Sequence, residues 1–252
     1  SAVGGCVTKP CLRPKFPGGK DIHRLCGIKP GTQKMCEVPG LPFPGFHLPT
    51  LKRYAGDDSI GLAGFIDVET TGLNPHTDEI VELAIVLFAF DRVKSSIVGV
   101  VDEYVGLREP SRNIPPQATR IHGITDADVA GQQLDGNKIK QLMQRAEFLV
   151  AHNATFDQGF VTRLFPISEL KLWLCSMRHV DWYGRGYGSR SLQALLQAHG
   201  IQVTHAHRGE VDVKAALTLL AQLDASGTPY FADLLRRYHA MQHLEASRKT
   251  LA

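Results

Sequence analysis

Apolar residues gather in three long runs early in the body of the chain: Leu62 to Val68, Glu79 to Phe90 and Ser96 to Leu107. Gly, Pro, Asn and Asp punctuate them, and each reads as a strand. The pattern then changes. Asn137 to Ala146 reads as a helix, Phe148 to Ala151 as a short strand leading into a helix over Thr155 to Leu164, and Lys171 to Cys175 as a fifth strand. Three helices close the chain: Ser191 to His199, capped by Ser189 or Ser191 and stopped by Gly200, then Val211 to Leu223, then Pro229 to Ala246. Three successive strands followed by alternating helix and strand predict an α/β fold, with mixed pairing in one sheet.

The first 58 residues do not share this pattern. They hold eight of the fourteen prolines, and Pro39-Gly40-Leu41-Pro42-Phe43-Pro44-Gly45 suits neither a regular helix nor a central strand. Four of the five cysteines, Cys6, Cys11, Cys26 and Cys36, also fall here, and only Cys175 lies in the body. With His23 they offer enough ligands for a tetrahedral zinc site, against free thiols or local disulfides in an extended arm. Bridges confined to one end are not the pattern of a secreted disulfide scaffold, so the chain is expected in the cytoplasm. Residues 1–60 carry nine Lys and Arg against four Asp and Glu, although the whole chain is only +3. A basic arm beside a near-neutral body suits a polyanionic partner, or a protein partner recruited by the arm. The strand Ile80 to Phe90 contains Glu82 and is too short to span a bilayer, so no membrane association is expected. The chain opens on Ser1 without methionine and shows no signal-peptide pattern.

The candidate chemistry lies at the ends of these elements. Asp67 and Glu69 are two apart on a strand, so both leave the same face. Such a pair repels itself unless a divalent cation joins it, and hard carboxylate oxygens are what Mg²⁺ and Mn²⁺ prefer. Asp157 and Asp212 stand early in helices, where the helix dipole alone would also favour an acid. All four acids sit at strand ends or helix starts and can meet at one edge of the sheet. His207 precedes Asp212 by five residues. Five helical steps would turn it off the aspartate's face, so it can share the site only from the loop entering the helix, with Gly209 making that loop pliable. A neutral histidine there is suited to general-base work.

The segments Phe65-Ile66-Asp67-Val68-Glu69-Thr70-Thr71-Gly72-Leu73, Ile121-His122-Gly123-Ile124-Thr125, His152-Asn153-Ala154-Thr155-Phe156-Asp157, Ser191-Leu192-Gln193-Ala194-Leu195 and His207 to Asp212 together resemble the DEDDh 3′–5′ exonucleases. The proofreading (epsilon) subunits of bacterial replicative polymerase are the nearest in pattern. The resemblance runs from Gly61 to Leu223 and implies an RNase H-like fold, a five-stranded mixed sheet flanked by helices. It implies an exonuclease domain over 59–225, preceded by the 1–58 extension and followed by a C-terminal helix, 226–252, packing on it. By the same resemblance Asp67, Glu69, Asp157 and Asp212 bind two Mg²⁺ or Mn²⁺, and His207 takes a proton from water. Thr71 and Leu73 touch the terminal nucleotide, the leucine as a wedge, and His152, Asn153 and Phe156 lie with the substrate. Two positions depart from the family pattern, which usually has alanine at Gly209 and a small residue at Val213.

Arg208 is a candidate phosphate contact. Between Arg178 and Arg190 the chain interleaves arginines, aromatics and glycines, the residue types of a single-strand stacking platform. A loop whose Trp182 packs on the core explains the same residues equally well. The expected substrate is the 3′ end of single-stranded nucleic acid, DNA ahead of RNA, with 5′-monophosphates released. A 3′ exoribonuclease is the alternative, and an inactive nucleic-acid adaptor a more distant one.

Overall fold

The first three strands pair in sequence order: β1 (Ile60–Thr70), β2 (Ile80–Asp91) and β3 (Ser96–Leu107) are antiparallel neighbours. Helices α1 (Pro116–His122), α2 (Asp126–Val129) and α3 (Gly136–Arg145) follow. Then β4 (Phe148–Ala151) lies parallel to β1, α4 (Ala154–Leu164) and a 3-10 turn (Pro166–Leu170) cross over, and β5 (Leu172–Cys175) lies parallel to β4. Helices α5 (Ser176–His179), α6 (Leu192–Ala198), α7 (Gly209–Ala221) and α8 (Phe231–Thr250) complete the chain. The sheet order is β3-β2-β1-β4-β5. This computed structural model describes residues 48–51, 58–203 and 208–250, all within one unit spanning Val38–Ala252. The candidate zinc ligands Cys6, Cys11, His23, Cys26 and Cys36 lie outside the described residues, as does the candidate base His207.

Strand periodicity divides the core in two. On one face Ala63, Phe65, Ala84, Val86, Phe88 and Phe90 pack under α6, α7 and α8. On the other, Ile66, Val68, Leu83, Ile85 and Leu87 pack under α3 and α4. β2 is buried for all but its last residue, which is why it reads as an unbroken apolar run instead of an alternating one. Asp67 and Glu69 continue the row of Ala63 and Phe65, so the same alternation aims both acids toward the α7 face. Helix α8 is held by Phe231, whose ring lies 5.7 Å from that of Phe88 and 5.4 Å from that of Phe90. Val213, one of the two departures from the family pattern, is fully buried in this layer.

Strand and helix positions agree with expectation to within two residues at most ends, the C-terminal helix running four residues further. The helices α1, α2 and α5 were not anticipated; α2 and α5, at four residues each, are too short for a periodic signal. The Ile121-His122-Gly123-Ile124-Thr125 segment is the joint between α1 and α2. Gly123 ends α1 at φ 75°, a left-handed conformation that glycine adopts without penalty. The ring of buried His122 accepts the Ile124 N–H at 3.0 Å, and Thr125 with Asp128 forms a capping box for α2. Residues 49–51, assigned by composition to the extension, run along the outer strand: Leu51 N–H donates to the Val100 carbonyl at 2.8 Å and Val100 N–H to that of Pro49 at 2.9 Å. Among the described residues no helix is long and apolar enough to cross a membrane.

Candidate active site

β4 pairs with β1 only through Gly64 and Phe65, so the last residues of β1 run on past it. The Val68 N–H in that overhang donates to the Asp157 carboxylate at 3.2 Å, which ties the first turn of α4 to the end of the strand. From the α7 face comes Asp212, itself in the first turn of its helix. Asp67, Glu69 and Asp212 offer carboxylate oxygens that all lie within 4.8 Å of one another. The four acids of three separate segments thus gather at one end of β1.

Such a cluster is electrostatically costly in the absence of a cation. Burial raises Asp67 well above the usual carboxylate range, and the charges of Asp157, Glu69, Asp212 and Glu82 add to it. Glu69 is pushed up to about 8, first by burial and then by Asp212, Glu82 and Asp157, with Arg208 pulling the other way. Burial takes Asp157 to about 7 against the lowering effect of the Val68 N–H. Near neutrality, protons partly occupy a site made of hard oxygen donors. A divalent cation displaces them and removes the repulsion, so the donor set fits the implied metal ions.

The sequence-derived substrate residues divide into two groups. Leu73 is 81% exposed on the turn after β1, free for contact with a ligand, and Asn153 is exposed and Phe156 half-buried at the start of α4. Three others are engaged within the protein. The Thr71 side chain is buried, its hydroxyl accepting the Glu79 N–H at 3.0 Å to close the turn that carries Leu73. The ring nitrogens of His152 lie 2.9 Å from the Ser176 hydroxyl and 2.9 Å from the Arg190 carbonyl. A carbonyl only accepts, so Nε2 bears the proton, and burial lowers the ring's pKa and keeps it neutral. Arg208, the candidate phosphate contact, donates to Glu82 through Nε at 3.2 Å and Nη2 at 2.8 Å.

Gly209 does not act as a pliable loop residue. It opens α7, its N–H donates to Glu82 at 2.7 Å, and an added Cβ would lie 3.0 Å from that of Ala84. Close approach of helix to strand is what requires a small residue there. The tryptophan question is also answered: Trp182 is fully buried, its indole N–H donating to the Ser176 carbonyl at 2.8 Å, so it belongs to the core.

Glu82 and Gln193 were not read as site residues. Glu82 stands directly opposite Glu69 across β1 and β2, almost wholly buried, and holds the start of α7 by accepting from both Arg208 and Gly209. Its signal in the sequence was the one acid inside the apolar run from Ile80 to Phe90, since a fully buried glutamate requires a partner. Gln193 donates to Asp212 at 3.4 Å and sits in the Ser191 to Leu195 segment already singled out.

Comparison with known proteins bears on the family and the fold. Residues 65–220 match the model of the RNase T family, described as exonuclease. The DNA polymerase III epsilon subunit of Treponema pallidum is 29% identical over 180 residues, 68% of this chain and 80% of that protein. PolC-type DNA polymerase III of Thermotoga maritima is 33% identical over 138 residues, 53% of this chain and 9% of the polymerase. The chain therefore spans a small part of the length of the PolC-type relatives it matches. Among solved structures, E. coli exonuclease I in complex with a dA16 oligonucleotide aligns with a TM-score of 0.55 at 18% identity, covering 69% of this chain and 42% of that one. At that identity the likeness concerns the fold, an exonuclease-type mixed sheet flanked by helices.

Proposed function

We infer, for a chain that belongs to the RNase T exonuclease family, a metal-dependent 3′–5′ exonuclease that releases nucleoside 5′-monophosphates from the 3′ ends of single-stranded DNA. The observation that carries this reading is the meeting of Asp67, Glu69 and Asp212 within 4.8 Å, with Asp157 tied to the same strand end. Two Mg²⁺ or Mn²⁺ held by these four acids would supply Lewis acidity to the phosphodiester and the attacking water. The carboxylates bind and space the cations. Leu73, exposed on its turn, would wedge against the terminal base and favour an end over an interior bond. His207 would accept the proton of the attacking water; it lies outside the described residues, and its neighbour Arg208 is fixed to Glu82.

DNA leads because of the replication relatives and the oligonucleotide-bound neighbour named above. RNA is the competing substrate, as sugar discrimination depends on contacts at the 2′ position. Zinc held by Cys6, Cys11, His23, Cys26 and Cys36, and a protein partner for that arm, belong to the same proposal, as does a cytoplasmic location without membrane association. Matched DNA and RNA oligonucleotides, labelled at the 5′ end and incubated with Mg²⁺ or Mn²⁺, test the substrate class. A ladder shortening from the 3′ end of DNA is expected. Preferential shortening of RNA would transfer the assignment to an exoribonuclease, and no cutting of either would leave a binding protein.

A further inference from the structure

The loop joining α5 to α6 is unusually well fastened for an exposed segment. Trp182 anchors it in the core, and the Asp181 carboxylate accepts the Gly184 N–H at 2.9 Å. Arg185 ties it to Asp233 at 2.6 Å and to Asp224 at 3.3 Å, and the Tyr187 hydroxyl lies 2.7 Å from that of Tyr230. Most of its arginine and aromatic side chains are therefore spent on structure. Two are not. Tyr183 is 57% exposed, and the Arg190 guanidinium lies over its ring at 4.9 Å from the centroid. Among the described residues Arg190 has no acidic partner, unlike Arg185 and Arg208.

The position of this pair relates it to the acidic cluster. The Arg190 carbonyl accepts from His152, the residue before Asn153 at the start of α4, and Gln193, three residues on, donates to Asp212. The segment from 190 to 193, which leads into α6, thus borders the site, and the loop carrying Tyr183 precedes it directly.

We propose that Tyr183 and Arg190 form a platform for the single strand upstream of the scissile bond, the tyrosine ring stacking on a base and the guanidinium meeting a phosphate. This rests on the exonuclease reading above. A ring offers a face to any base, so the platform would grip without regard to sequence, and its fastening from both sides means little ordering is lost on binding. His152 is then a positioning residue: its neutral ring joins the platform's backbone to the segment that presents Asp157.

The test compares two substrates of the full chain with Mg²⁺. One is a single-stranded DNA oligonucleotide. The other is the 4-nitrophenyl ester of thymidine 5′-monophosphate, which has the bond to be cut but no upstream nucleotide. Tyr183→Ala should raise KM for the oligonucleotide about tenfold, within the range of base–aromatic stacking, and leave hydrolysis of the ester unchanged; Tyr183→Phe should restore the parental KM. Arg190→Gln should weaken oligonucleotide binding and flatten its salt dependence. An abasic site placed at successive upstream positions should slow the parental enzyme at one of them and leave Tyr183→Ala indifferent. Parental KM for the oligonucleotide in both variants would overturn the platform, and so would equal loss on both substrates, which would make the loop a support of the acid cluster. If the parental protein cuts neither substrate, it is the exonuclease reading that fails.

Discussion

Asp67 shows most plainly what the acids at the end of β1 do. An aspartate that burial and then four other carboxylates drive upward in pKa destabilises the metal-free fold, so removing its charge should relieve that fold while destroying its use. Asp67→Asn is expected to abolish nuclease activity, raise the melting temperature without metal at pH 8, and cancel most of the rise that Mg²⁺ gives the parental protein. Differential scanning fluorimetry with and without Mg²⁺ reads all but the first. The pH dependence has a definite sign. Glu69 moves from 4.5 to about 8 and Asp157 from 3.8 to about 7 in the folded protein, so between these limits the native state holds more protons than the unfolded chain. Stability of the metal-free protein is then fully present below about pH 4 and declines as pH rises through about 8. Saturating Mg²⁺ should recover more stability at pH 8 than at pH 5, because cation binding must displace protons at the lower pH. A flat metal-free profile over this range would mean that the acids are not in mutual contact.

At the scale of elements, the start of α7 depends on a contact that crosses 126 residues of sequence: Arg208 and Gly209 both reach back to Glu82 in β2. Removing the carboxylate in Glu82→Ala strands the buried Gly209 N–H, at a cost of about 1–3 kcal/mol. Glu82→Gln keeps an oxygen acceptor for it and should recover part of that stability. Urea unfolding at saturating Mg²⁺ measures the difference, and indistinguishable midpoints for the two variants would assign the anchor elsewhere. This contact also marks the limit of what the sequence could reveal. Asp67 and Glu69 were legible because strand alternation fixes their face, and β2 because its apolar run is continuous. The Glu82–Arg208 pair follows no period: two side chains far apart in sequence meet only once the sheet and α7 are assembled. The same applies to Trp182 and Tyr183, adjacent residues with opposite fates in a loop where periodicity does not say which one faces inward.

For the molecule as a whole, residues 49–51 cover part of the outer edge of β3 through their backbone bonds with Val100. An uncovered edge strand invites pairing with other chains. A chain lacking residues 1–47 is expected to keep the parental turnover on single-stranded DNA and, if the amino-terminal cysteines bind zinc, to lose that metal. Extending the deletion through residue 58 should lower the melting temperature and promote self-association, visible by light scattering. Equal stability and dispersity of the two truncated chains would show that the edge needs no cover. Helix α8, fixed through Phe231 and Tyr238 to the aromatic layer, packs on the α7 face of the sheet.

Cutting of DNA from a 3′ end is proposed to depend on cations held by the acids at the end of β1. The most direct measurement follows two single-stranded DNAs in one Mg²⁺-containing reaction, a 5′-labelled linear strand and a closed circle, with parental protein and Asp67→Asn in parallel. Stepwise shortening of the linear strand, release of 5′-monophosphates, an untouched circle, full inhibition by EDTA and no products from Asp67→Asn are expected. A cut circle, or near-parental shortening by Asp67→Asn, would contradict the proposal.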